Sequence, residues 1–160
     1  MTKARLYPAL LIAVGAGSLA FAYTAQYGFG LEPCILCLVQ RVPFAIVAVL
    51  GAIGLVRPDL LAWVFALAAT AFAVNSGIAV YHVGVEQHWW ASAVCGGSLS
   101  AQVSTADLLA ALDTKPEKSC DVVDWTFLGI SMASWNVVFS ALLAGLSAYV
   151  LKNRMWENKS

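Results

Sequence analysis

Four cysteines carry the chemistry that is most legible in this sequence. Cys34 and Cys37 enclose two residues in Pro33-Cys34-Ile35-Leu36-Cys37, and Cys95 and Cys120 follow at a separation of 25. An even count in an oxidising compartment implies two disulfides, for which three pairings exist. The C-x-x-C spacing favours a local Cys34–Cys37 bond and leaves Cys95 with Cys120. A bridge over two intervening residues closes so small a loop that it removes little chain entropy, so it explains little as a staple and more as a reactive bond. The second pair fits a staple for a loop poor in apolar residues, or a second redox pair. Structural zinc is the competing chemistry for four thiols. The second pair lacks the C-x-x-C spacing, and thiols of an exported loop tend to oxidise, so no metal site is expected. Covalent haem needs a histidine after the second cysteine, where residue 38 is leucine.

The neighbours of the first pair strengthen the redox reading. The C-x-x-C opens an apolar helix, whose free N–H groups and positive dipole end favour a thiolate. Arg41 follows Cys37 by four residues, so both project from one helix face. A permanent charge one turn inside an apolar segment is costly unless paired or used, and no acid in that segment can pair with it. Arg41 either anchors the helix at the lipid headgroups or stabilises an anion: a thiolate, or the reduced form of a bound cofactor. His82 closes the third apolar stretch, where a histidine is either solvated or functional. His88 lies beside Trp89 and Trp90, which read as interface anchors.

These residues must be positioned by helices in lipid. Of 160 residues, 61% are hydrophobic and 11% charged, against about 25% charged in soluble domains. The mean hydropathy is +0.78. So few charges cannot cover the surface of a globule in water. The net charge of zero gives no reason to expect nucleic-acid binding. Apolar stretches run over about 6–27, 38–56, 60–83 and 132–151, each near the roughly 20 residues a spanning helix needs. The expected fold is an all-α integral membrane protein: one domain over 1–160, a four-transmembrane-helix bundle with a short loop at about 28–37 and a long one at about 84–131. Within the long loop, Thr105 to Leu112 reads as a short amphipathic helix capped by Ser104 or Thr105. Small residues such as Gly15, Gly17, Gly51 and Gly54 would let helices approach closely or merely fill space.

Basic residues orient the bundle. In a four-span arrangement Lys3, Arg5, Arg57, Lys152, Arg154 and Lys159 share one side, six of the nine basic residues. Both termini are therefore expected in the cytoplasm and both cysteine-bearing loops in the periplasm of a bacterial inner membrane. The first stretch runs past the leader-like Ala20-Phe21-Ala22 to Tyr27, so it is read as a span rather than a cleaved signal.

Four spans, an outward Pro-Cys-x-x-Cys heading the second, Arg41 at +4 and a second outward cysteine pair resemble the disulfide bond formation protein B (DsbB) family. Trp125-Thr126-Phe127-Leu128-Gly129, with Trp135 entering the last helix, is similar to the end of that family's second loop. The resemblance covers nearly the whole chain. It implies reoxidation of a periplasmic thioredoxin-fold oxidase of the DsbA type, with the electrons passed to a membrane quinone, ubiquinone or menaquinone. It further implies that Cys95 forms the mixed disulfide with the partner, and that Cys120 then exchanges with Cys34. It places the Cys37 thiolate, Arg41 and His82 at the quinone. The alternatives are an enzyme like vitamin K epoxide reductase, in which the C-x-x-C commonly follows the loop pair, and a non-enzymatic scaffold with stapled loops.

Overall fold

A computed structural model describes residues 3–92, 95, 118–123 and 125–154. The expected amphipathic helix at Thr105 to Leu112 lies outside the described residues. Helix α1 (Lys3–Tyr23) runs into a widened π-helical turn, Thr24–Gly28. Helices α2 (Ile35–Val39) and α3 (Arg41–Val56) form one span interrupted at Gln40. A single 3-10 turn at Pro58–Leu60 leads into α4 (Leu61–Glu86). The last helix, α5, covers Met132–Lys152. All four spans are long and apolar enough to cross a membrane, and their positions follow the hydropathy closely. One small addition is a hairpin of β1 (Thr126–Phe127) and β2 (Ile130–Ser131), whose turn residues Leu128 and Gly129 both have positive φ. That is the geometry a two-residue hairpin turn requires.

Local sequence sets the breaks. Pro43 cannot donate to the carbonyl of Val39 and its ring crowds that carbonyl, so the second span is interrupted just there. Ser131 caps α5 by accepting from the Ser134 amide at 3.2 Å. The C-terminus of α4 closes with two bonds, Trp89 N–H to Gly84 O at 2.8 Å and His88 N–H to Val85 O at 3.1 Å, with His88 in the left-handed region (φ 57). This is a Schellman ending in which histidine takes the usual glycine position.

The helices pack as a chain of neighbours: α1 on α3, α3 on α4, and α4 on α5. Helices α1 and α3 meet through small residues. A Cβ on Gly51 would lie 2.7 Å from the carbonyl oxygen of Pro8, and one on Gly54 would lie 3.0 Å from Pro8 Cβ. Gly15 likewise faces the backbone of Phe44 and Ala48, whereas Gly17 meets nothing within 4 Å. The core is a cluster of Leu11, Phe44, Val47, Leu61, Val64, Phe65, Ala68 and Phe72. On α3 the exposed residues are apolar too: Val42, Ile46, Val49 and Ile53 recur at helical spacing. A helix that is apolar on its outer face is stable facing lipid rather than water. Polar side chains are turned inward instead, among them Gln40, Asn75, His82 and Ser140.

Candidate functional site

Both cysteine-bearing loops lie at one end of the bundle. Pro33 delivers the chain to Cys34, which takes the extended conformation of a helix N-cap (φ −73, ψ 169). Its Sγ accepts from the Cys37 amide at 3.4 Å, so sulfur fills the role usually given to a serine or aspartate oxygen. Cys37 follows one turn into the helix, and the two sulfurs are 2.9 Å apart, both as free thiols. His82 reaches across from α4 and places Nε2 3.6 Å from Cys34 Sγ. Cys34 is buried, and burial alone would push its thiol up. The hydrogen bond from the Cys37 side chain outweighs this, helped by His82 and the Cys37 amide, and holds Cys34 well below the ordinary thiol range.

The second pair is joined as the Cys95–Cys120 disulfide, with both residues buried. It packs in one cluster with Cys34, Leu36 and Val85. Cys34 Sγ, a ring nitrogen of His82 and Cys120 Sγ all lie within 4.8 Å of one another. Such a trio would suit a soft metal ion, but Cys120 Sγ is bonded to Cys95 and a disulfide sulfur is a poor ligand. The long loop is tied to the short one by Lys118 Nζ, which donates to the Glu32 carbonyl at 2.8 Å. Beside the disulfide is a small cavity of about 190 Å³, lined in part by His88, Trp90 and Asp121. The Ser119 hydroxyl donates to Asp121 and is the main reason its carboxyl sits below the usual range. His88 approaches the same carboxylate at 3.7 Å. Trp90 packs flat on Gly84, where any Cβ would strike its ring, and donates to the Tyr81 carbonyl at 3.1 Å.

A larger cavity of about 640 Å³ lies at the same end, within the range of about 300–1,000 Å³ typical of small-molecule sites. Its apolar walls come from α1 (Val14, Phe21), α3 (Phe44) and α5 (Trp135, Phe139), and its polar groups include Cys37, Gln40, Arg41, His82, Glu86 and Asn136. Arg41 Nη1 donates to Gln26 Oε1 at 2.7 Å, and its guanidinium carbon lies 4.9 Å from the Tyr23 ring centroid. The π-helical turn at the end of α1 is what presents Gln26. Among the described residues Arg41 forms no ion pair, so its charge is held at the cavity by neutral partners. A flat, apolar ring carrying polar oxygens fits this lining: apolar walls from three helices, a guanidinium and a histidine.

The structure thus brings together Cys34, Cys37, Arg41, His82, Cys95 and Cys120. Arg41 and Cys37 share the cavity as the four-residue spacing implies, although the helix is interrupted between them. Sequence reasoning missed Gln40 and Asn136, which stand behind His82. Asn136 Nδ2 donates to Gln40 Oε1 at 2.8 Å, and Gln40 Nε2 lies 3.3 Å from His82 Nδ1. It also missed Glu86, whose Oε1 is 3.8 Å from His82 Nε2 and whose Oε2 accepts from the Ser131 hydroxyl at 2.6 Å. The only available signal was a polar residue inside an apolar span, and that does not say which spans meet.

A four-span bundle carrying two adjoining cysteine pairs at one end has the design of a membrane-bound, disulfide-forming oxidoreductase. Comparison with known proteins agrees. Residues 4–150 match the family model described as disulfide bond formation protein DsbB. The protein named Disulfide bond formation protein B from Xanthomonas axonopodis pv. citri is 37% identical over 143 residues, covering 84% of this chain and 82% of its own. The protein of that name from Aromatoleum aromaticum is 34% identical over 140 residues, 84% of each chain. One from an Acidovorax species is 32% identical over 161 residues, 94% of this chain and 88% of its own. The chain belongs to the DsbB family, and is a multi-pass bacterial membrane protein of disulfide bond formation.

Proposed function

We propose that this protein reoxidises a periplasmic thioredoxin-fold dithiol oxidase of the DsbA type and passes the electrons to a membrane quinone. The observation that carries the reading is the approach of Cys120 Sγ to within 4.8 Å of Cys34 Sγ, which joins two otherwise separate pairs into one path. In the first exchange a partner thiolate attacks Cys95 Sγ, the Cys95–Cys120 bond breaks, and Cys120 leaves as a thiolate. The partner's second thiol then releases the oxidised partner. Next, Cys120 attacks Cys34 of a Cys34–Cys37 disulfide and Cys37 leaves. Cys95 then attacks Cys120, restoring the loop disulfide and releasing Cys34. The net result is two electrons and two protons moved from the partner to Cys34 and Cys37. A joined Cys95–Cys120 beside a free Cys34 and Cys37 is the state this handover leaves behind.

Each exchange favours a low-pKa leaving sulfur, and the N-cap position with its hydrogen bonds gives Cys34 that character. A quinone, when bound, supplies a two-electron, two-proton acceptor. The apolar walls of the larger cavity would hold its ring, Arg41 would meet an oxygen, and His82 would line the site beside Cys34. The excess of basic residues at the far end supports cytoplasmic termini and periplasmic cysteine loops in the inner membrane. The test is reconstitution in vesicles with quinone and a reduced thioredoxin-fold oxidase. One disulfide formed per quinone reduced is expected. Disulfide formation that proceeds equally well without quinone would overturn the assignment of the acceptor.

A further inference from the structure

Behind the Cys34–His82 contact runs a chain of amide side chains whose hydrogen-bond directions can be worked out one by one. Ser140 is fully buried on α5 and has one proton, which it donates to Asn136 Oδ1 at 2.9 Å. Its oxygen accepts from Asn75 Nδ2, on α4, at 2.8 Å, and the same amide donates to Asn136 Oδ1 at 3.2 Å. The Asn136 carbonyl is therefore committed to two donors, and its Nδ2 faces outward to Gln40 Oε1. That contact leaves Gln40 Nε2 facing His82 Nδ1. An amide nitrogen has protons to give and no lone pair to offer, so Nδ1 must accept. The proton of a neutral ring then sits on Nε2, which faces Cys34 Sγ at 3.6 Å and the Glu86 carboxylate at 3.8 Å. Both are acceptors, so the two sides of the ring agree. Reversing the Asn75 amide alone would set its carbonyl against that of Asn136. Reversing Asn75, Asn136 and Gln40 together would leave a bare Nε2 against the Glu86 carboxylate and the Cys34 sulfur, so the Glu86 side of the ring sets the direction of the chain. Among the described residues Asn75 Oδ1 is left buried without a partner, a cost that the direction of the chain imposes.

We infer that Gln40, Asn136, Ser140 and Asn75 act as positioning residues that fix His82 in its Nε2–H tautomer, so that the imidazole donates a hydrogen bond to the Cys34 sulfur. None of the four touches the exchanging sulfurs. They act through His82, in the way that outer hydrogen bonds fix which nitrogen of a metal-binding histidine is free. The functional consequence rests on the reading of Cys34 as an exchanging thiol. The tautomer itself does not, and neither measurement below needs a partner or a quinone.

The test uses the full chain, reduced, in lipid nanodiscs with ¹⁵N-labelled histidine, the His82 signals being those lost in His82→Asn. Long-range proton–nitrogen correlation at neutral pH is expected to show Nε2 protonated and Nδ1 bare. Asn136→Asp offers only acceptors, so the Gln40 amide turns over to donate to it and presents its carbonyl to His82. The proton should move to Nδ1, and the pH at which Cys34 alkylation falls off should rise by about one unit as the thiolate loses its donor. Gln40→Glu should likewise protonate Nδ1, and serves where Asn136→Asp does not fold. A wild-type ring protonated on Nδ1, or a folded Gln40→Glu with Nδ1 still bare, overturns the inference.

Discussion

The two cysteine pairs sit side by side and are held in opposite ways. Cys34 and Cys37 are built into a helix start, and the Cys34 sulfur touches the Cys37 thiol, the Cys37 amide and His82. Cys95 and Cys120 are separated by 25 residues and held by their own covalent bond, with loop contacts such as Cys95 N–H to Ser92 Oγ at 2.9 Å. A short bridge adds little chain entropy to stability, whereas one spanning 25 residues contributes about 3 kcal/mol or slightly more in the loop-closure model. The fold therefore invests in the two pairs differently. Around the first it spends hydrogen bonds that set the charge state of a sulfur. Around the second it leaves a disulfide that organises its own loop and lies next to open space. A pair tuned by the bundle suits exchange with a bound acceptor, and a pair carried by a loop suits docking of a protein.

The largest effects should come from separating the pairs. Cys37→Ser is expected to abolish quinone-dependent turnover with every substrate, because the first pair can no longer close. Cys95→Ser should abolish turnover with the thioredoxin-fold partner but retain oxidation of a small dithiol, which can reach the first pair directly. Quinone reduction assayed with both substrates distinguishes these outcomes, and equal loss in both variants would break the division of labour. Arg41→Ala is next. Removing a charge-assisted contact costs about 1.5–3 kcal/mol, so the KM for quinone should rise by roughly ten- to a hundredfold with the partner's KM unchanged.

The ionisation of Cys34 sharpens the comparison from the other side. Because its pKa is lowered, the thiolate persists as pH falls, and reactivity is lost only when pH drops through the depressed value. An ordinary thiol near pKa 8.5 is under about 1% thiolate at pH 6. Alkylation of Cys34 in the reduced protein, followed by mass spectrometry, should therefore change little between pH 8 and pH 6. A tenfold fall per pH unit over that range would show an ordinary thiol and remove the tuning.

The parts of this arrangement that depend on one stretch of chain were legible without coordinates. Four apolar runs give four spans because lipid imposes helices on any such run. Cys34 as a helix start follows from Pro33 and the apolar residues after Cys37. Cys37 and Arg41 both reach the cavity, as spacing requires. What stayed hidden depends on two or more spans at once. The contact of Gln40 with Asn136 links residues 96 positions apart, and Asn75 meets Ser140 over 65. Neither partner carries a local signature. The interruption at Gln40 was marked by Pro43, a signal that the continuous hydropathy of Leu38 to Val56 masks. The adjacency of Cys120 to Cys34 came only from family resemblance, since spacing could pair the cysteines without saying which of Cys95 and Cys120 faces inward.

The smallest expected effect lies where the tuned region hands over to the loop. His88 ends α4 in the left-handed conformation that glycine adopts without cost, and that a residue with a Cβ adopts at about 1–2 kcal/mol. Its contact with Asp121 is exposed, and such pairs contribute about 0–1 kcal/mol. Relief of strain should exceed the lost contact, so His88→Gly is expected to stabilise the protein by about 0.5 kcal/mol, read as a slightly higher Tm in detergent. Turnover with the thioredoxin-fold partner should not change, since the loop disulfide is held by its own bond rather than by neighbouring groups. If turnover falls while Tm holds or rises, His88 and Asp121 serve the Cys95–Cys120 exchange directly. The loop pair would then be tuned by its surroundings as the helix pair is, and the contrast between them would be one of degree.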